Sequence, residues 1–141
     1  MGGRIDAILA GYDHWNRADY DQVQRGYHDD AQFEPGSESD IFAAAMFGGE
    51  NEPGVVYRGH SPEWSDFRIE PQGAAELDAD HYLVEVVVRG RGARSGLEVS
   101  DRYWHLYEYR GPKVAKARSF HSRDEALAAY REEAPTGIEP V

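Results

Sequence analysis

The sequence contains no cysteine, so disulfides, thiolate nucleophiles and cysteine-ligated zinc are excluded, and the redox compartment is left open. Basic side chains are in the minority, 15 Lys and Arg against 26 Asp and Glu, for a formal net charge of −11. A surface of that sign repels a phosphate backbone, which argues against a nucleic-acid partner. No apolar run approaches the roughly 20 residues of a membrane span. The opening MGGRID lacks a secretory apolar core, and Asp6 stands where a myristoylation motif needs Ser or Thr. The six histidines show neither His-x-His nor His-Glu-x-x-His spacing, so no metal site is expected. The Gly90-Arg91-Gly92 run is too short, and in the wrong context, for a dinucleotide fingerprint. These absences leave the expectation of a soluble cytoplasmic protein that works without a cofactor and binds neither nucleic acid nor membrane.

What is present is aromatic area. Phe, Trp and Tyr make up 12% of 141 residues, too much for a disordered chain and enough for one domain with a real core. That domain is expected over residues 1–134, with residues 135–141 a flexible tail. Ile5, Ile8, Leu9, Tyr12 and Trp15 fall at helical spacing and predict an amphipathic helix over 4–17. Asp19 and Gln22 mark a second helix, with Val23 and Tyr27 as its buried stripe and His28-Asp29-Asp30 at its end. Residues 31–34 predict a short strand stopped by Pro35-Gly36. Asp40 to Phe47 predicts two helical turns, and Val55 to Tyr57 a brief strand.

From Phe67 the chain turns to strands: 67–70 and 74–77 around a turn at Pro71–Gly73, then 81–89. Two long strands follow, joined by a tight turn at Arg110-Gly111-Pro112-Lys113. The second feeds a helix through the capping box Ser122-x-x-Glu125. Helices, then strands, then a closing helix predict an α+β fold, with N-terminal helices packed on a curved antiparallel sheet around a conical cavity. Small-molecule pockets favour the open ends of such shapes.

In this order and spacing the residues resemble the SnoaL-like branch of the NTF2-like superfamily, the cone-shaped α+β barrels. The likeness runs through Tyr12…Trp15-Asn16-x-x-Asp19-Tyr20-Asp21 and Tyr27-His28-x-Asp30-Ala31-x-Phe33. It continues in Tyr57-Arg58-Gly59-His60 and Asp66 to Pro71, and ends in Gly90-Arg91-Gly92, Ser95-Gly96, His105, Lys113-Val114 and Arg123-x-Glu125-Ala126-Leu127. The resemblance implies the fold but no single activity, because the superfamily hosts isomerases, dehydratases, cyclases, epoxide hydrolases and non-catalytic binders. Two departures stand out. The third helix that the resemblance implies is cut to about one turn before Trp64, and Ile41–Phe47 is expected to take its place at the pocket rim. The general base of the ketosteroid isomerases would fall on Pro35, or on Glu34 one register away, and their helical tyrosine on Gly11, one short of Tyr12. Their mechanism is therefore not carried over.

Side chains alternate along a strand, so Val99, Asp101, Tyr103, His105, Tyr107 and Tyr109 share one face. A face that only filled a core would need neither an acid nor an imidazole. On the next strand Lys116 and Arg118 favour water, which puts Ala115, Ala117, Ser119 and His121 inside, and Val114 and Phe120 outside. His121 then lies beside Tyr103 or Asp101. An Asp101–His121 pair would make the imidazole a usable base. Tyr103, Tyr107 and His105 would supply polar contacts, with His105 also a catalytic candidate, although a mid-strand His is more often a hydrogen-bonded core residue. Tyr12, Trp15 and Ser119 are further lining candidates, and His60 and Trp64 candidate gate residues. The expected partner is a small apolar molecule, handled by acid/base chemistry of isomerase, dehydratase, cyclase or hydrolase type. The alternative is a non-catalytic binding or dimerisation module. A homodimer through the outer sheet face is expected from Trp104, Leu106 and Phe120, which would otherwise be an exposed apolar patch.

Overall fold

The computed structural model describes residues 3–17, 19–34 and 64–133. Expectations placed on 35–63 (the Asp40–Phe47 helix, the Val55–Tyr57 strand, His60) and on the tail lie outside those residues, as does the side chain of Trp64. The elements in order are α1 (Gly3–Asn16), α2 (Tyr20–Gln24), β1 (Tyr27–Glu34), β2 (Trp64–Asp78), β3 (His81–Gly92), β4 (Glu98–Arg110), β5 (Lys113–Phe120) and α3 (Arg123–Glu133). The five strands form one sheet in the order β1-β5-β4-β3-β2. It is antiparallel from β2 to β5, whereas β1 joins β5 in parallel. The expected α+β class holds, with a mixed sheet in place of a purely antiparallel one.

Two strands depart from the sequence reading for physical reasons. Pro71 to Gly73 is not a turn: β2 runs through it as one strand of 15 residues, with a register shift between Pro71 and Gly73. Proline is tolerated there because β2 is an edge strand, where a missing amide costs no ladder bond, and the bulge bends the sheet. Tyr27 does not continue α2. That helix lasts five residues, Asp19 makes no side-chain cap bond, and the chain leaves through Gly26 into β1. The Gly26 carbonyl accepts from the Val114 amide at 2.9 Å, which starts the parallel pairing.

The concave face carries the main core. Ile8, Tyr12 and Trp15, one stripe of α1, pack on Val84, Val86, Val88, Ile69, Tyr107 and Tyr109. Asn16 pins the end of α1 to β2: its amide donates to the Ile69 carbonyl and accepts from the Ile69 amide, both at 2.8 Å. Arg4 pins the start. Its guanidinium donates to the Gly111 carbonyl at 2.7 Å, pairs with Asp80 at 3.1 Å and lies 4.6 Å from the centre of the Tyr109 ring. Gly111 itself has a φ of +68°, the left-handed conformation that suits glycine in this tight turn.

The convex face is covered by α3. Ser122 Oγ accepts from the Glu125 amide at 3.1 Å, so the serine half of the expected capping box forms, without a return bond from the Glu125 carboxylate. Ala126, Leu127 and Tyr130 then pack on Leu83, Leu106, Trp104, Phe120 and Leu77. Leu106 is buried, and Trp104 and Phe120 are half-buried. The trio from which a dimer was expected is thus largely occupied by the chain's own helix.

Candidate functional site

Between α1, α2 and the sheet lies a cavity of about 350 Å³. That is near the small end for ligand pockets. Its walls are mostly apolar, with Ile8, Trp15, Val23, Ile69 and Val114 among them. Its polar interior is a cluster of Tyr12 from α1, Tyr27 from β1, and His105 and Tyr107 from β4. Strand alternation brings His105 and Tyr107 to the same face, and Tyr12 meets them because it sits mid-stripe on α1.

The Tyr12 hydroxyl is the shared atom. It receives the Tyr107 hydroxyl hydrogen at 2.6 Å and lies 2.8 Å from His105 Nδ1. Two arrangements of hydrogens satisfy this chain. Tyr12 can donate to an unprotonated Nδ1. Alternatively Nδ1–H donates to Tyr12, whose oxygen then accepts twice and whose own hydrogen turns to a third partner. The rings fit closely as well: Tyr12 stacks on His105 with centroids 5.9 Å apart and meets Tyr107 edge-on at 6.3 Å.

Burial sets the charge state of the whole cluster. Desolvation pushes the His105 imidazole down to about 3, so it is neutral at physiological pH. Desolvation likewise lifts the phenols of Tyr12, Tyr27 and Tyr107. For Tyr12 the hydrogen bond from Tyr107 pulls the other way, and Tyr27 is held the same way by Tyr107. The interior is therefore polar but uncharged, able to donate and accept hydrogen bonds without carrying an ion.

The sequence candidates separate into two groups. Tyr12, Trp15, His105 and Tyr107 converge on the cavity. Tyr103 and Ser119 are buried on the same concave face without lining it; Ser119 sits opposite His105 in the strand pairing. Asp101 and His121 are both exposed and do not pair with each other. Asp101 instead accepts from the Arg102 amide at 2.8 Å. Between the two neighbours allowed for His121, the register selects Tyr103, with ring centroids 4.9 Å apart. On β5 the inward set also changes. A register shift opposite Glu108 and Tyr109 leaves Ala115 as the extra residue, so Val114 turns into the cavity and Ala115 out of the alternation.

Sequence reading missed Tyr27, Gln22 and Arg25, and placed Tyr109 on the right face without naming it a site residue; all four line the cavity. Tyr27 carried a usable signal in the Gly26 before it, a natural break between helix and strand. Among the described residues no group of three or more His, Asp or Glu is placed to hold a metal, and no helix is long and apolar enough to cross a membrane.

No protein-family model matches this sequence, and no curated protein matches it. Solved structures do match. An NTF2-like protein of unknown function from Burkholderia pseudomallei K96243 superposes with a TM-score of 0.65 at 12% identity, over 96% of this chain and 100% of that one. TerC, crystallised with polyporic acid, gives 0.62 at 19% identity, over 91% and 95%. A protein described as a SnoaL-like polyketide cyclase, from Jannaschia sp. CCS1, gives 0.57 at 14% identity, over 93% and 92%. At these identities the likeness is one of fold.

Proposed function

We propose that this chain, which has the NTF2-like fold, is a pocket protein for a small apolar molecule bearing a carbonyl or hydroxyl oxygen. We read it as a cofactor-independent acid/base enzyme of isomerase, dehydratase, cyclase or hydrolase type. The observation that carries this is the Tyr107–Tyr12–His105 hydrogen-bond chain buried at the wall of an otherwise apolar cavity. Buried polar groups are costly unless they are fully engaged, and a cavity that needed only to be filled would use aliphatic residues. In the tautomer with Nδ1–H, the Tyr12 oxygen accepts from two partners. That polarises its own O–H toward a ligand oxygen. A donor held in a dry site stabilises charge that develops on that oxygen far more than water does. TerC, of the same fold, was crystallised with polyporic acid, which supports a small molecule as the kind of occupant.

The cavity is better supplied with donors than with a base. Among the described residues its nitrogen bases are His105, pushed down to about 3, and His14 at the mouth. This favours a second reading, a binder that polarises its ligand without turning it over. Deuterium exchange separates the two. A bicyclic ketone is incubated with the protein in D2O, and loss of the α-proton signal is followed by NMR. Exchange accelerated by wild type and abolished in Tyr12→Phe supports an enzyme. Binding without exchange supports the non-catalytic module. Failure of bicyclic ketones and naphthols to bind at millimolar concentration overturns the pocket assignment itself. The proposal also includes a cytoplasmic homodimer, meeting where α3 leaves Trp104 and Phe120 half-buried. A monomer by light scattering at micromolar concentration overturns that element alone.

A further inference from the structure

The composition of the cavity is at odds with that of the chain. Acids are 26 of the 141 residues, yet among the described residues that line the cavity none is Asp or Glu. One lining residue is instead a full cation. Arg25 follows the last turn of α2, is exposed to solvent, and borders the cavity beside Gln22 and Gly26. Its backbone is fixed by the bond from its amide to the Asp21 carbonyl at 3.2 Å. Among the described residues no carboxylate pairs with its guanidinium, whereas other arginines have such partners: Arg4 with Asp80, Arg17 with Asp13, Arg89 with Glu70, Arg110 with Asp30. Asp19, near the same mouth, lies 3.6 Å from His14.

Resting on the pocket assignment above, the geometry points to a ligand that is not merely apolar but carries a carboxylate, held at the mouth by Arg25 while its apolar rings lie in the cavity. Guanidinium is suited to this because its planar fork donates two parallel hydrogen bonds to a carboxylate. The apolar walls would take a bicyclic or tricyclic body, and the Tyr12 cluster would face its far end. The absence of acids from the lining then has a reason. In a chain of net charge −11, an anionic ligand is repelled by most of the surface, and a lining acid beside Arg25 would cancel its attraction. Arg25 would thus set specificity through charge, without touching the hydroxyl chain.

Calorimetric titration of naphthoate and naphthamide, matched in shape and differing in charge, tests this. Wild type should bind the carboxylate about three- to tenfold more tightly than the amide, the range for a partly solvated Arg–carboxylate contact. Arg25→Gln should erase that preference and leave the amide unchanged, and Arg25→Lys should keep part of it. Equal binding of both compounds by wild type overturns the role of Arg25 and leaves the pocket assignment standing. So does a preference that survives Arg25→Gln. Binding of neither compound removes the pocket assignment and this inference together.

Discussion

On the concave side of β4, Tyr103, His105, Tyr107 and Tyr109 are buried, and the two that meet α1 in the cavity, His105 and Tyr107, are neutral and both bonded to the Tyr12 hydroxyl. On the convex side of the same sheet, polarity takes the form of charges in pairs. Glu85 on β3 meets Arg102 on β4, Glu70 on β2 meets Arg89 on β3 at 2.8 Å, and Arg91 meets Glu98. The difference is one of solvent. Where water is excluded, each polar group depends on a specific partner and removing one strands the others. Where water is present, a lost partner is replaced by solvent, and the pairs contribute little. One strand therefore presents a coupled face and an uncoupled face, 180° apart.

The sharpest test uses neighbouring residues. Val86 is fully buried on the concave side, opposite Tyr103, and Val87 is half-buried on the convex side, opposite Arg102. Val86→Glu should cost at least about 4 kcal/mol, a large part of a typical domain's stability, because the carboxylate has no partner there. Val87→Glu should change stability by less than about 1 kcal/mol, since Arg102 lies opposite. Urea unfolding followed by circular dichroism reads both, and equal costs would mean that the faces are not distinct.

Next in size is Tyr12→Phe. It removes one oxygen but leaves two buried groups, His105 Nδ1 and the Tyr107 hydroxyl, without that partner. A loss of about 2–3 kcal/mol is expected, more than a single exchanged hydrogen bond would give. A loss no larger than that from Tyr82→Phe would show that the chain is not coupled, because the Tyr82 hydroxyl makes one long bond, 3.3 Å, to the Ala79 carbonyl.

Much of the concave face was legible from sequence because strand periodicity is local. The alternation Tyr103, His105, Tyr107, Tyr109 follows from the chain itself, as do the α1 stripe and the Ser122 cap. What was not legible depends on residues far apart in sequence. The bulge that turns Val114 inward exists only in the pairing of β4 with β5. The end of α2 is set by the capture of Tyr27 beside Val114, which overrides a helix-like pattern and leaves Asp19 without a cap bond. The Asp101–His121 pair failed for a similar reason. Both residues share the expected face, but the buried part of that face ends at Tyr103, and beyond it the side chains stand in water. The helix α3 was readable, but not the surface it covers. Its Tyr130 hydroxyl donates to Asp78 at 2.8 Å, and Asp78 also binds His81 Nδ1 at 2.9 Å.

The two faces should also part company with pH. His105 sits at about 3 in the fold against roughly 6.5 in an unfolded chain. Above 6.5 neither state holds the proton and the stability is fully present. As the pH falls below 6.5 the unfolded chain takes up the proton and the folded one does not, so stability declines until about pH 3. Between pH 6.5 and 5 this amounts to about 2 kcal/mol at most. Asp78 enters lower down. Burial alone would raise it, but hydrogen bonds from His81, the Asp80 amide and Tyr130 outweigh that and hold it below its usual value. Its contribution is lost only as the pH falls through the ordinary carboxylate range and below. His105→Gln should therefore flatten the stability profile between pH 6.5 and 5, where no carboxylate among the described residues contributes, and leave the slope below about pH 3 unchanged. An unaltered slope across that window would place His105 in contact with water.

The smallest effect should come from the convex pairs, and it matters because their short distances invite the opposite expectation. Glu85 and Arg102 are in direct contact across the β3–β4 pairing, yet about a third and a half of their side chains remain exposed. Ordering two long side chains offsets most of the Coulomb attraction, and salt screens the rest. Glu85→Gln should therefore shift stability by no more than about 0.5 kcal/mol in low salt and by less at 1 M salt. The measurement is the difference in urea midpoint between wild type and variant at the two ionic strengths. A larger, salt-insensitive loss would mean that this pair is shielded from water in solution. The most direct source of such shielding is a second copy of the chain seated on the convex face, so the same variant, run at two protein concentrations, also tests the dimer.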